Sequence, residues 1–281
     1  LHFDYTTIGH VTIDVLADGT RQPGGAAFYS ALQAARLGQR TQILTQGVPA
    51  EIGELLEPYR EDLELEIVAA PATTTLATSG AGAARTQRLL QWAGPIAAEP
   101  VLDTTILHLA PVAREIPLPL HWRGASEFIG LTPQGLARGW SELGDEIRLS
   151  LSDPATTTLG ACADGIVISK LERASCAALI AAARAAGAIV VVTDGPGPST
   201  ILLADGRSTS CPVPQIGDPV EDLGAGDVFA AALFIALSEG QDPEDAARFA
   251  TAAAALRMGA RGAAAIADRA TIEARLRSIQ G

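Results

Sequence analysis

Short apolar runs, separated by helix-patterned segments, constrain this chain more than any other feature. "TQILTQ" at 41–46, "ILHLA" at 106–110, "FIGLT" at 128–132, "GIVIS" at 165–169 and "AIVVVT" at 188–193 are continuous rather than alternating, and Ala/Glu/Arg-rich stretches follow them. A strand apolar on both sides belongs in a parallel sheet with helices over both faces, so the pattern predicts a three-layer α/β/α body. Two helices announce their ends. Ala26 to Leu37 stops at Gly38; a second begins after Asp242 with Pro243 at its first position and Asp245 in its first turn, and ends at Gly259. Proline inside the start and glycine past the end is the expected asymmetry. With 281 residues, 48% of them hydrophobic, one large domain spanning 1–281 is the expectation.

Two stretches break the rhythm. "VTIDVLADGTRQ" and "LELEIVAAPATTTLATSGAGAARTQRLLQWAG", roughly 11–23 and 63–93, alternate, are rich in Thr, and carry Gly and Pro turns. Together they predict a small antiparallel sheet projecting from the body.

Charge and composition exclude several classes. Lys plus Arg total 20 against 32 Asp plus Glu, a formal charge of −12 with no basic run, which argues against a nucleic-acid surface. Cys162, Cys176 and Cys211 form no CxxC pair, and His2, His10, His108 and His121 lack ligand spacing, so neither a disulfide framework nor a structural metal is expected. The longest apolar stretch, 177–192, is interrupted by Arg184 and Gly187, and the first ten residues lack a leader pattern. The expectation is a cytoplasmic protein in a reducing compartment without membrane insertion.

The chemistry concentrates in "EDLGAGD", 221–227, at the mouth of the almost wholly apolar "VFAAALFIAL". Glycines let backbone N–H groups converge on a ligand, and a helix N-terminus supplies unpaired donors and partial positive charge: together an anion site. An aspartate at its edge suits a base that activates the group attacking that anion, which points to phosphoryl transfer. A P-loop is absent, and the single lysine, Lys170, lies away from glycines. "GAGAAR" at Gly80 and "GAGDVF" at Gly224 contain GxG without completing a dinucleotide fingerprint, leaving a nicotinamide-dependent oxidoreductase as an alternative. A second is a non-catalytic polyol or nucleoside binder.

The ordered set of "IGHVTID", "PGGAAFYSALQAARLG", "VVVTDG" and "EDLGAGDVFAAALF" resembles the ribokinase-like (PfkB) carbohydrate kinases over nearly the whole chain. The resemblance implies a central, mostly parallel sheet between helices with a β-sheet lid over the sugar. It implies Asp227 as base, with Gly224, Ala225 and Gly226 forming the anion hole, and ATP with magnesium as cofactors. Asp14, Gly24 and Gly25 match substrate-binding positions; Tyr29 stands where Asn is usual. Thr193 and Gly195 resemble residues beside the ATP phosphates, and Glu172 resembles an acid near magnesium, with Ser169 at an Asn position. Glu221 and Leu223 depart from the Asp and Thr of the usual DTxGAGD, so the resemblance carries no firm monovalent-cation requirement to this chain. In "GLTPQGLARGW", Gln134 and Arg138 look like the myo-inositol kinase branch: an amide with donors and an acceptor beside a rigid fork of donors can read adjacent hydroxyls of a cyclic polyol. The family often uses its lid as a homodimer interface.

Overall fold

The structure, a computed structural model, describes residues 1–97, 100–118, 123–213 and 219–280, without the side chains of 123, 279 and 280. His121 lies outside the described residues. The strands are β1 (Phe3–Ile8), β2 (Thr12–Leu16), β3 (Arg21–Gly24), β4 (Thr41–Gly47), β5 (Leu63–Ala69), β6 (Thr75–Ser79), β7 (Thr86–Gln91), β8 (Val101–Leu109), β9 (Arg123–Leu131), β10 (Arg138–Gly139), β11 (Arg148–Leu149), β12 (Gly165–Ser169), β13 (Ile189–Asp194), β14 (Gly197–Leu202) and β15 (Ser208–Cys211). The helices are α1 (Ala26–Arg36), α2 (Pro49–Leu56), α3 (Thr156–Cys162), α4 (Ala177–Ala185), α5 (Ala225–Ser238), α6 (Pro243–Arg257) and α7 (Arg269–Gln280).

All five apolar runs form strands of one sheet, ordered β15-β14-β13-β12-β9-β8-β1-β4-β5. From β5 to β13 every neighbouring pair is parallel; β14 and β15 add an antiparallel edge. Alternate residues of each strand feed two cores. Tyr5, Ile43, Ile106, Val167 and Val191 pack with α1, α5 and α6, while Ile8, Leu44, Leu107, Ile166 and Val190 face the layer containing α3 and α4. α5, with Val228 through Ala236 all buried, is the central helix of the first layer, which explains why it shows no polar face. α6 is capped by Asp242, whose Oδ1 accepts the Glu244 N–H at 2.9 Å, with Pro243 following as the sequence predicts.

Three expectations change. β5 (63–69) pairs in parallel with β4 at the edge of the main sheet and is not part of the lid, because Leu63, Leu65 and Ile67 pack on the core below. The lid consists of β3-β2-β6-β7 and is mixed rather than antiparallel: β2 and β6 run parallel, since the chain returns to the lid only after passing through the body. Segment 144–147 then lies along β7, through Gly144 N–H to Leu89 O (2.7 Å) and Ile147 N–H to Gln87 O (2.8 Å). Finally, "ILHLA" and "FIGLT" lead not into α-helices but into a loop and a 3-10 turn at 133–137, and that irregular chain contributes to the site.

Candidate active site

The C-terminal ends of the parallel strands, the edge where open α/β sheets bind ligands, meet the N-terminus of α5 and the inner side of the lid. Gly224 has φ 78°, and a Cβ there would fall 2.4 Å from the Tyr29 ring, so no other residue fits. Ala225 N–H bonds Asp222 O at 3.2 Å and Asp227 N–H bonds Gly224 O at 3.1 Å, closing a tight turn. The N–H groups of Gly224 and Gly226 have no partner among the described residues, and the space a Gly226 Cβ would occupy is open. The free donors of the expected anion hole are therefore the two glycines; Ala225 is engaged in the turn that presents them.

Asp14, on β2, is 2% exposed, and its Oδ1 accepts the Thr12 hydroxyl at 2.9 Å. Thr12 pairs with Gly24 across β2 and β3, and a Cβ on Gly24 would lie 2.2 Å from the Asp14 carboxylate. Gly25, at φ 91°, turns the chain into α1, where a Cβ would meet His10 O at 2.3 Å. The two glycines thus seat Asp14 and open the helix. Tyr29 is 1% exposed, between the glycine turn and the Arg257 guanidinium 5.2 Å from its ring; its hydroxyl has no partner among the described residues.

Arg138, 8% exposed, donates to Val112 O at 3.0 Å and Gln87 Oε1 at 2.8 Å. Burial lowers its proton affinity, and the surrounding carboxylates of Glu172, Asp227, Asp14 and Glu115 oppose that effect. Gln134 is half-buried on the 3-10 turn immediately before it. The carboxylates respond in turn. Burial raises Asp14 to about 6, against the Thr12 bond and the charges of Arg138 and Arg85. Burial likewise raises Asp227 to about 7; Arg138 and Arg85 oppose this, while Glu172 and Asp14 reinforce it. A carboxylate tuned near neutrality is what a general base requires.

Glu172 is 8% exposed, its Oε2 accepting the Ser169 hydroxyl at 2.6 Å, so serine at this position ties the acid down. Ser169 pairs with Thr193 across β12 and β13, and Gly195, at φ 55°, starts the turn into β14. These residues share the strand-end edge with the glycine turn. No group of three or more metal-ligating side chains is found among the described residues. A magnesium ion dehydrates reluctantly and needs few protein ligands, so the single buried carboxylate of Glu172 is the residue here that would face one.

Sequence reading overlooks three elements. Fully buried Glu115 accepts N–H groups from His10 (2.9 Å), Val112 (2.7 Å) and Ala113 (2.6 Å), fastening the end of β1 to the end of β8. Fully buried Arg257 pairs with Glu221 at 2.7 Å and donates to Ala260 O at 3.0 Å, bracing the glycine turn from below. Arg85, from the hairpin tip that reads as an incomplete dinucleotide motif, pairs with Asp222 in the turn itself. Of their partners, only Glu221 stands out in the sequence, as a departure from the usual Asp.

A nine-stranded, mostly parallel sheet, a strand lid and a glycine turn opening a buried helix define the ribokinase fold, and solved structures bear this out. The chain matches a pyrophosphate-dependent kinase in the ribokinase family complexed with a pyrophosphate analog and myo-inositol (TM-score 0.74, 21% identity, 96% of this chain and 99% of that one). It matches Arabidopsis thaliana ribokinase complexed with ribose and ATP (0.74, 17%, 98% and 99%) and Methanocaldococcus jannaschii nucleoside kinase (0.73, 17%, 98% and 98%). Residues 164–270, which include α5 and its glycine turn, match the model of the pfkB family carbohydrate kinases. No curated protein matches its sequence.

Proposed function

We propose that the protein is a kinase transferring a phosphoryl group from ATP to a hydroxyl of a small sugar or cyclic polyol, with myo-inositol as the favoured acceptor. The observation that carries this reading is Asp227, poised near neutrality one residue from the Gly226 N–H, which has no partner among the described residues, and sensing the charges of both Asp14 and Arg138. Asp14 accepts acceptor hydroxyls, and Arg138 with Gln134 reads its neighbouring ones; Tyr29 closes the floor between Asp14 and the turn. Asp227 takes the proton from the attacking oxygen. The Gly224 and Gly226 N–H groups, backed by the α5 dipole, meet the charge developing on the transferred group, a contact of a kind worth about 3 kcal/mol per donor. Little covalent work is left, because phosphoryl transfer depends on alignment and charge stabilisation. Magnesium, when bound with the donor, neutralises phosphate charge; Thr193, Gly195 and Glu172 line the donor side.

The test is product release from Mg-ATP, and in parallel from pyrophosphate, with myo-inositol, ribose, fructose, fructose 6-phosphate and nucleosides. The pyrophosphate arm is included because several similar structures are pyrophosphate-dependent kinases. Asp227→Asn is expected to lower kcat by ~10²–10⁴-fold while leaving donor binding intact. Binding of a donor without turnover on any acceptor would favour a polyol or nucleoside sensor, and binding of a nicotinamide dinucleotide in place of either donor would favour the oxidoreductase.

A further inference from the structure

The tip of the β6–β7 hairpin is built to reach the glycine turn. Gly80 (φ 72°) and Gly82 (φ 55°) fold it tightly enough that a Cβ on Gly80 would lie 2.5 Å from Ala84 O. The fold aims two donors at one carboxylate: Gly82 N–H meets Asp222 Oδ2 at 2.7 Å, and the Arg85 guanidinium pairs with Asp222 Oδ1. Asp222 O in turn accepts the Ala225 N–H of the turn that presents the free donors. The pair is three-quarters buried, with side-chain exposures of 24% and 22%, unlike the surface ion pairs elsewhere on the molecule. Along β7 the two-residue period then places Gln87 on the same side as Arg85, where it accepts from Arg138, while Leu90 faces out. One edge of the lid thus holds both the turn and the arginine expected to read the acceptor.

We propose that Arg85, clasped to Asp222, is a positioning residue through which the closed lid sets the glycine turn and its base, Asp227, for transfer. This rests on the kinase reading above. A guanidinium bound to a carboxylate from 137 positions away fixes the turn only when the lid is down. Its charge also favours ionised Asp227, alongside Arg138 and against Glu172 and Asp14; buried Tyr5, on β1, also senses the Asp227 charge. Lid opening would therefore loosen the turn and make its base a poorer proton acceptor in the same movement.

The first experiment needs no activity. Trypsin cleaves after arginine, and a clasped Arg85 is protected, so Asp222→Asn in the full chain should raise the rate of cleavage at Arg85–Thr86 about tenfold, the worth of a charged hydrogen bond, with other arginine sites unchanged. An unchanged rate overturns the clasp. The second uses whichever donor and acceptor give turnover. Arg85→Gln should lower kcat roughly tenfold or more with a smaller change in acceptor KM, and should move the acidic limb of kcat to higher pH. Arg85→Lys should return the limb but recover kcat only in part, lacking the fork. Arg85→Gln combined with Asp222→Asn should be no slower than Arg85→Gln alone, whereas additive losses, or wild-type kcat in Arg85→Gln, overturn the positioning role. If no substrate turns over, the cleavage result still decides whether the clasp exists.

Discussion

Asp14→Asn should make this protein more stable at neutral pH while disabling it. Asp14 is 2% exposed and burial lifts its carboxyl from 3.8 to about 6. Because the folded state holds the proton more tightly than the unfolded chain, stability contributed by this group is complete below 3.8 and declines as pH rises to about 6. Converting that displacement to free energy gives a cost of about 3 kcal/mol for the ionised group at pH 8. Asparagine keeps an oxygen for the Thr12 hydroxyl but adds an N–H needing a partner, a penalty of about 1 kcal/mol that does not vary with pH. Urea denaturation at pH 8 should show the variant about 2 kcal/mol more stable than wild type, and the difference should reverse to a deficit of about 1 kcal/mol near pH 3.5. Loss of acceptor affinity should accompany the gain. A stability difference that does not change between the two pH values would refute the claim that Asp14 is held ionised at a cost for function.

Two neighbouring substitutions test the same geometry. Gly224→Ala puts a Cβ 2.4 Å from the Tyr29 ring at a left-handed φ of 78°, so it should destabilise by about 2–4 kcal/mol in chemical denaturation and weaken donor binding; a wild-type midpoint would contradict the packing. Glu172→Gln removes a negative charge that raises Asp227, so the acidic limb of kcat, set near 7 in wild type, should move to lower pH, opposite in sign to the shift expected on losing Arg85.

Which features are legible in the chain and which are not depends on the range of the interactions involved. Strand and helix periods, the Pro243 and Gly38 boundaries, and the glycine turn before α5 are local: dihedral preferences and burial on one or two faces act within a dozen residues, so "GIVIS", "AIVVVT" and "EDLGAGD" carry their structural roles in their own order. The alternation at 63–69 carries no such information about destination. A half-buried edge strand of the main sheet and a lid strand read alike, and only pairing with β4 decides between them. The site divides in the same way. Asp227, Asp14 and the paired glycines stand in recognisable surroundings, but their proton affinities come from burial and from charges contributed by β2, the lid, the turn at 133–138 and the loop after β12. Arg85 meets Asp222 across 137 positions, and Arg257 reaches Glu221 across 36. Sequence by itself determined which groups could do the chemistry. Tertiary structure alone decided which of them face one another out of water, because electrostatic coupling depends on distance and desolvation in space and is blind to separation along the chain.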